Sequence, residues 1–302
     1  MSLYDWFRIL LLSLVWGGSF FFVEVALPEA GPLTIVFYRV TIAAAALWVW
    51  CAMTGEKVPR GPGIWFAFLA MGILNNVIPF SLIAFGQTEI SSALASILNA
   101  TTPLFAVVVA HVWPDGERAT ANKVAGVIIG IAGTAVLIGP SLLDAGGTLV
   151  GKLAVLAASF SYAIAMNFGK RLLKSGSPVV SAAGMLTASS VVMLPLAMVA
   201  GNPFSAFSPA TWGAMVGLAL LCSAFAYLLY FGILSTAGPT NLSLVTFLIP
   251  ISASALGIAF LGETIALYQI AGLVLILIGL ACVDGRVLKA FGRKAEPAAG
   301  SD

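Results

Sequence analysis

The sequence predicts an all-α membrane protein of ten transmembrane helices, arranged as two inverted five-helix repeats. Three observations lead there. Sixty percent of the 302 residues are hydrophobic and only 9% are charged, against about 25% charged in a soluble domain. The apolar residues gather into ten runs, each near the roughly 20 residues that a helix needs to cross a bilayer. The chain also resembles itself when shifted by 146 positions.

The expected spans are Ile9–Ala26, Leu33–Met53, Ile64–Phe85, Ile90–Trp113, Val124–Leu143, Leu153–Gly169, Pro178–Ala200, Trp212–Ala237, Asn241–Gly262 and Thr264–Val283. The first follows Arg8 and resembles a signal peptide in outline. No small-x-small cleavage site follows it, so it reads as an uncleaved first helix. The breaks between spans carry residues that end helices: Pro28 to Pro32, Pro59 to Pro62, Pro114 to Gly116, Gly201 to Pro209 and Gly238-Pro239. Gly262-Glu263 is the weakest break and is expected to form a very tight turn. Strands are disfavoured, because a membrane barrel alternates polar and apolar residues in segments of about ten. These runs are apolar all round, and in lipid a helix satisfies its own backbone.

Charge tests the count. Of 14 Lys and Arg, Arg39 lies inside the second span and Lys152 falls on one side. The other twelve (Arg8, Lys57, Arg60, Arg118, Lys123, Lys170, Arg171, Lys174, Arg286, Lys289, Arg293, Lys294) fall on the side of both termini. The positive-inside bias makes that side cytoplasmic. One helix more or fewer would scramble the asymmetry. No Lys/Arg-rich run lies within the chain, so nothing points to nucleic acid. Cys51, Cys222 and Cys282 have no metal-ligand spacing and read as small buried hydrophobes. No cofactor is expected.

The repeat pairs Trp16 with Tyr162, Pro32 with Pro178, and Phe85-Gly86 with Phe231-Gly232. It also pairs Gly116-Glu117 with Gly262-Glu263, Ala125-Gly126 with Ala271-Gly272, and Gly133 with Gly279. Pro103 meets Pro250 with a one-residue slip. The expected units are 1–145 and 146–285, followed by a cytoplasmic tail, 286–302, expected to be disordered. Five helices per unit is an odd number, so the second unit enters the membrane inverted. Inverted repeats are characteristic of carriers whose halves rock about a central site. A duplication kept for structure alone is the other reading.

The chain resembles the drug/metabolite transporter superfamily, in its EamA-type branch. Trp16-Gly17, Tyr38-Arg39, Pro103…Gly116-Glu117-Arg118…Gly126…Gly133 and Pro250…Gly262-Glu263-Thr264…Gly272…Gly279 carry the likeness, over about residues 8 to 285. Within it, the chain looks similar to bacterial exporters of aromatic amino acids. The resemblance implies a ten-helix basket in the bacterial inner membrane. It also implies a central cavity lined mainly by the third, fourth, eighth and ninth helices, with the first and sixth contributing.

Polar and aromatic residues within spans supply the candidate site: Trp16, Asn75, Asn76, Phe80, Ser96, Asn99, Tyr162, Tyr227, Ser243 and Phe247. Polar groups are costly in lipid and so face protein or water. The amides are the sharper candidates, since each has donors and acceptors to satisfy. The hydroxyls read equally as bonding their own helix, and the rings as lipid contacts. Pro103 and Pro250 are candidate hinges, and Asn99 sits where Pro103 frees a carbonyl. Arg39 is expected to pair with Glu24 in a structural ion pair; a substrate carboxylate is its alternative partner. Gly126-x-x-x-Gly130 with Gly133 gives the fifth helix a close-packing face.

No Asp or Glu lies in the middle of a span, and no Walker-type Gly-x-x-x-x-Gly-Lys motif occurs. The expected function is export of small organic solutes, amino acids or related metabolites, by alternating access and facilitated diffusion. The expected partners are a small-molecule substrate and the lipid bilayer, with a monomer sufficient. A proton-coupled drug/metabolite antiporter and a membrane receptor or scaffold are the alternatives. An enzyme is not expected: His111 is the single histidine and no Asp-rich pair lies in the membrane.

Overall fold

The computed structural model describes residues 2–114, 116–143, 147–172 and 177–285. The expected tail and part of the junction between the units lie outside them. Ten helices are long and apolar enough to cross a membrane. They are α1 (Leu3–Ala26), α2 (Pro32–Met53), α3 (Pro62–Gly86), α4 (Ser92–Val112), α5 (Ala121–Leu143), α6 (Gly147–Leu172), α7 (Pro178–Ala200), α8 (Pro209–Pro239), α9 (Leu244–Leu261) and α10 (Leu267–Asp284). No strand occurs among the described residues.

Local chemistry sets the ends. Ser2 and Asp5 form a reciprocal cap that starts α1 well before Ile9. Proline opens α2, α3, α7 and α8, where its missing N–H has no partner to lose. Gly238 ends the straight run of α8 with φ +78°. Gly262 closes α9 at φ +66°, a left-handed cap that glycine adopts without a Cβ penalty. The Gly262-Glu263 break is not the tight turn expected. Residues 262–266 form a non-helical segment, and α10 starts at Leu267 rather than Thr264.

Each half lends its first helix to the other. α1 packs on α8 and α9, while α6 packs on α3 and α4. α2 faces α7, and α5 faces α10. The α5–α10 seam follows the 146-residue shift closely. A Cβ on Gly126 would lie 2.5 Å from the carbonyl of Gly279, and one on Gly133 would lie 2.8 Å from that of Gly272. Exchanging the halves converts one contact into the other. The expected small-residue face of α5 is therefore a backbone-to-backbone seam with α10.

Two buried clusters flank the axis. One joins α2, α7 and α8 through Ile35, Leu47, Leu186, Met215 and Leu218. The other joins α1, α4, α6 and α9 through Ile9, Leu12, Ile97, Leu98 and Val245. The periphery stays apolar, as with Val199 at 89% exposure and Phe260 at 71%. Only a lipid environment accommodates so continuous an apolar belt. Ser2 and Gly285 lie on one face, called here the near face; Glu24, Ser92 and Glu263 lie on the far face.

Candidate functional site

Two of the spans contain a short π-helical stretch, at matching places in the two halves. In α3 it covers Ile73–Val77, and in α8 it covers Leu220–Phe225. Such stretches often mark functional positions, because they leave backbone groups to be satisfied by side chains. In α3 the N–H of Ile78 bonds the carbonyl of Ile73. The next bond in that pattern would need the N–H of residue 79, which is proline. The hydroxyl of Ser161 takes its place, donating to the Leu74 carbonyl at 2.7 Å. From α7, Ser189 donates to the carbonyls of Met185 and Gly72, at 2.7 and 3.2 Å. In α8, Ser223 donates to the Leu218 carbonyl at 3.2 Å.

These stretches hold the polar centre. Asn76 is fully buried and donates to Ser189 Oγ at 3.1 Å. Its Oδ1 accepts from Asn75 at 3.3 Å and from the Tyr227 hydroxyl at 3.4 Å. Asn75 also donates to the Tyr227 oxygen at 3.3 Å. The network joins α3, α7 and α8. Beside it, Arg39 from α2 places its guanidinium 3.6 Å from the centre of the Phe80 ring and donates from Nε to Ser223 Oγ at 2.9 Å. Tyr162 and Tyr227 lie within electrostatic reach of it.

An aromatic wall continues from there. Tyr227 stacks on Phe231 at 6.0 Å, Tyr230 meets Phe231 edge-on at 5.4 Å, and Trp16 lies 5.7 Å from Tyr230. Tyr162 packs against both buried clusters yet keeps accessible surface. Asn75, Trp16, Tyr227 and Tyr230 also remain partly accessible. Tyr162 is thus a partly accessible side chain set between two cores.

The structure brings together Asn75, Asn76, Phe80, Tyr162 and Tyr227, and it links Trp16 to them through Tyr230. Asn99 stands apart on α4, where its Oδ1 accepts from Ser159 at 3.4 Å. Its carbonyl, freed by Pro103, accepts from Thr102 Oγ1 at 2.8 Å. α4 breaks at Ala100-Thr101 just before Pro103, but α9 runs unbroken through Pro250. Ser96 is fully buried and donates to Ala93 of its own helix. Ser243 lies at the near-face junction of α8 and α9. Phe247 packs against the second cluster.

The expected Arg39–Glu24 pair does not form. Arg39 points into the α8 stretch, whereas Glu24 accepts from Gln87 Nε2 at 3.0 Å on the far face. Pairing by depth along two helices misses this, because the heading of each side chain depends on a neighbour's backbone. The sequence reading also omitted Ser159, Ser161 and Ser189. For Ser161 a partial signal existed: Pro79 removes a backbone donor from α3 and leaves a carbonyl of the preceding turn for another group to meet.

Comparison with known proteins places this geometry. The model of the EamA-like transporter family matches twice, over residues 6–139 and 149–283. An uncharacterized transporter of Archaeoglobus fulgidus is 27% identical over 84% of this chain and 88% of its own length. The uncharacterized transporter YoaV of Bacillus subtilis is 24% identical over 90% of this chain and 94% of its own. The uncharacterized inner membrane transporter YedA of Escherichia coli is 25% identical over 84% and 82%. A solved crystal structure, 18% identical and covering 95% of this chain and 99% of that one, shares the fold with a TM-score of 0.68. Ten apolar spans and two matches to one family model lead to a single conclusion: the chain is a multi-pass membrane protein that belongs to the EamA-like transporter family.

Proposed function

We propose that the chain exports small organic solutes with an apolar or aromatic body, amino acids foremost, along a pathway between α2, α3, α6 and α8. The observation that carries this is the grouping: the Asn75 amide and the rings of Tyr162, Tyr227 and Tyr230, which stay partly accessible between two apolar cores. Rings give a flat solute dispersion and edge contacts, and amides orient its polar end. The repeat units 1–145 and 146–285 act as inverted halves, and the exchangeable contacts of α5 and α10 support that reading. The Lys/Arg asymmetry supports a cytoplasmic near face.

Transport runs down the solute gradient. Proton coupling usually draws on a carboxylate or histidine at depth, and here Glu24 and Glu263 are engaged at the far face. The test is counterflow of labelled L-phenylalanine into proteoliposomes preloaded with the unlabelled amino acid. Uptake is expected with no pH gradient and unchanged by a protonophore. Uptake that requires an imposed pH gradient refutes the mechanism. Asn75→Ala, which removes the donor to Asn76 and Tyr227, is expected to slow uptake by about 3- to 10-fold, the loss of one hydrogen bond, with normal membrane insertion. An unchanged rate removes Asn75 from the pathway.

A further inference from the structure

Arg39 is 8% exposed and sits within the bundle, at the eighth residue of a span that carries no other charge. A guanidinium stays protonated in any protein setting. A charge taken out of water needs a counter-charge or a full set of hydrogen bonds, or it destabilises the fold by several kcal/mol. Arg39 has neither. Among the described residues the one ion pair joins Lys123 to Glu117. Nε alone has a protein acceptor, Ser223 Oγ. Nη1 and Nη2 have no protein acceptor among the described residues, and neither is among the fully sealed atoms.

The surroundings orient this fork. The Phe80 ring covers one face of the guanidinium at 3.6 Å. Ser223, itself anchored to the Leu218 carbonyl, occupies the Nε edge. What remains is the end-on edge, with Nη1 and Nη2 side by side. Two parallel N–H donors match the two oxygens of a carboxylate in a bidentate pair. The hydroxyls of Tyr162 and Tyr227 lie near enough to be felt electrostatically, and their rings begin the aromatic wall.

We propose that Arg39 is the carboxylate-recognition residue of the pathway, and that the transported class is small monocarboxylates with an apolar or aromatic body. The solute anion completes the charge balance that the protein leaves open. Its carboxylate meets the two Nη groups end-on, while its body lies along Tyr162, Tyr227 and Phe231. This deepens the transport reading and rests on it. It separates carboxylate solutes from amine solutes of equal size and apolarity.

The experiment uses the full chain in proteoliposomes. Counterflow of labelled L-phenylalanine and of labelled phenethylamine is measured, with phenylacetate, L-phenylalaninamide and phenethylamine as competitors. Phenylalanine is expected to be carried and phenylacetate to compete. Phenethylamine and the amide are expected to act at least about tenfold more weakly, as the loss of a charge-assisted bidentate pair implies. Arg39→Gln is expected to erase the preference, and Arg39→Lys, which keeps the charge without the fork, to retain part of it. If Arg39→Gln does not fold, the competitor series on the unaltered chain decides alone. Carriage of phenylalanine with equal competition by phenethylamine overturns the carboxylate assignment and leaves the pathway standing. Carriage of neither labelled solute overturns the pathway as well.

Discussion

The two halves meet at their ends in different ways. On the far face, Glu263 reaches from the α9–α10 segment to the start of α4. Its two oxygens accept from the backbone N–H groups of Ser92 and Ala93, at 2.8 and 3.0 Å. A carboxylate there meets orphan donors and the positive end of the helix dipole together. The residue 146 positions earlier, Glu117, pairs its carboxylate with Lys123 and is 73% exposed. One sequence motif, Gly-Glu, thus seals a helix start at one face and stays in a surface pair at the other. The frame repeats, but its end contacts do not. The α5–α10 seam, by contrast, looks the same from both halves.

The largest effect is expected where the halves are alike. Gly279→Val puts a branched side chain where even a Cβ would lie 2.6 Å from the Gly126 carbonyl. Overpacking of this kind costs about 1–3 kcal/mol and more where backbone cannot yield. Loss of monodisperse protein in detergent is expected, and Gly126→Val should match it. Gly139→Ala, where a Cβ meets nothing within 4 Å, is expected to leave the melting temperature unchanged. A stable Gly279→Val protein would show that the seam is not a fixed axis.

The next effect should separate the ends. Glu263→Gln removes charge from two hydrogen bonds worth about 1.5–3 kcal/mol each to a charged acceptor. It is expected to loosen the far face, and Glu117→Gln to do little. A single cysteine replacing Ser91, in a chain whose own three cysteines are changed to alanine, reports this by its rate of labelling with a membrane-impermeant maleimide. Faster labelling in Glu263→Gln alone sustains the comparison. Equal rates in the two variants would break it.

Much of this frame was legible beforehand because it follows from repeated, local signals. Length, apolarity and Pro/Gly punctuation gave ten spans, and the end positions moved by a few residues where caps intervened, as Ser2 does for α1. The family resemblance rested on Gly and Pro positions whose geometric reasons the structure makes visible in Gly262, Gly126 and Gly133. The site was legible in residue type more than in grouping. Asn75, Asn76 and Tyr227 were all named, but their union depends on a π-stretch that no residue preference announces. Arg39 illustrates the limit: its depth was evident, while its partner was decided by the backbone of α8, some 180 residues away in the chain.

The smallest effect concerns a second acidic cap on the far face, which tests whether caps there act alike. Glu29, in the α1–α2 turn, accepts from the Ser208 N–H at 2.8 Å and from Thr211 Oγ1 at 2.9 Å, holding the start of α8. The hydrogen bond from the Ser208 backbone, then those from the Ser208 and Thr211 side chains, hold its carboxyl below the usual glutamate range. A carboxyl whose folded pKa is depressed favours the fold above its unfolded pKa, and that contribution fades as pH falls through the folded value. The melting temperature of the native chain should therefore drop slightly more between about pH 5 and pH 3 than that of Glu29→Gln. The group is exposed, so salt and water screen the effect and it should be small. Parallel melting curves for the two proteins would show that Glu29, unlike Glu263, holds no helix in place.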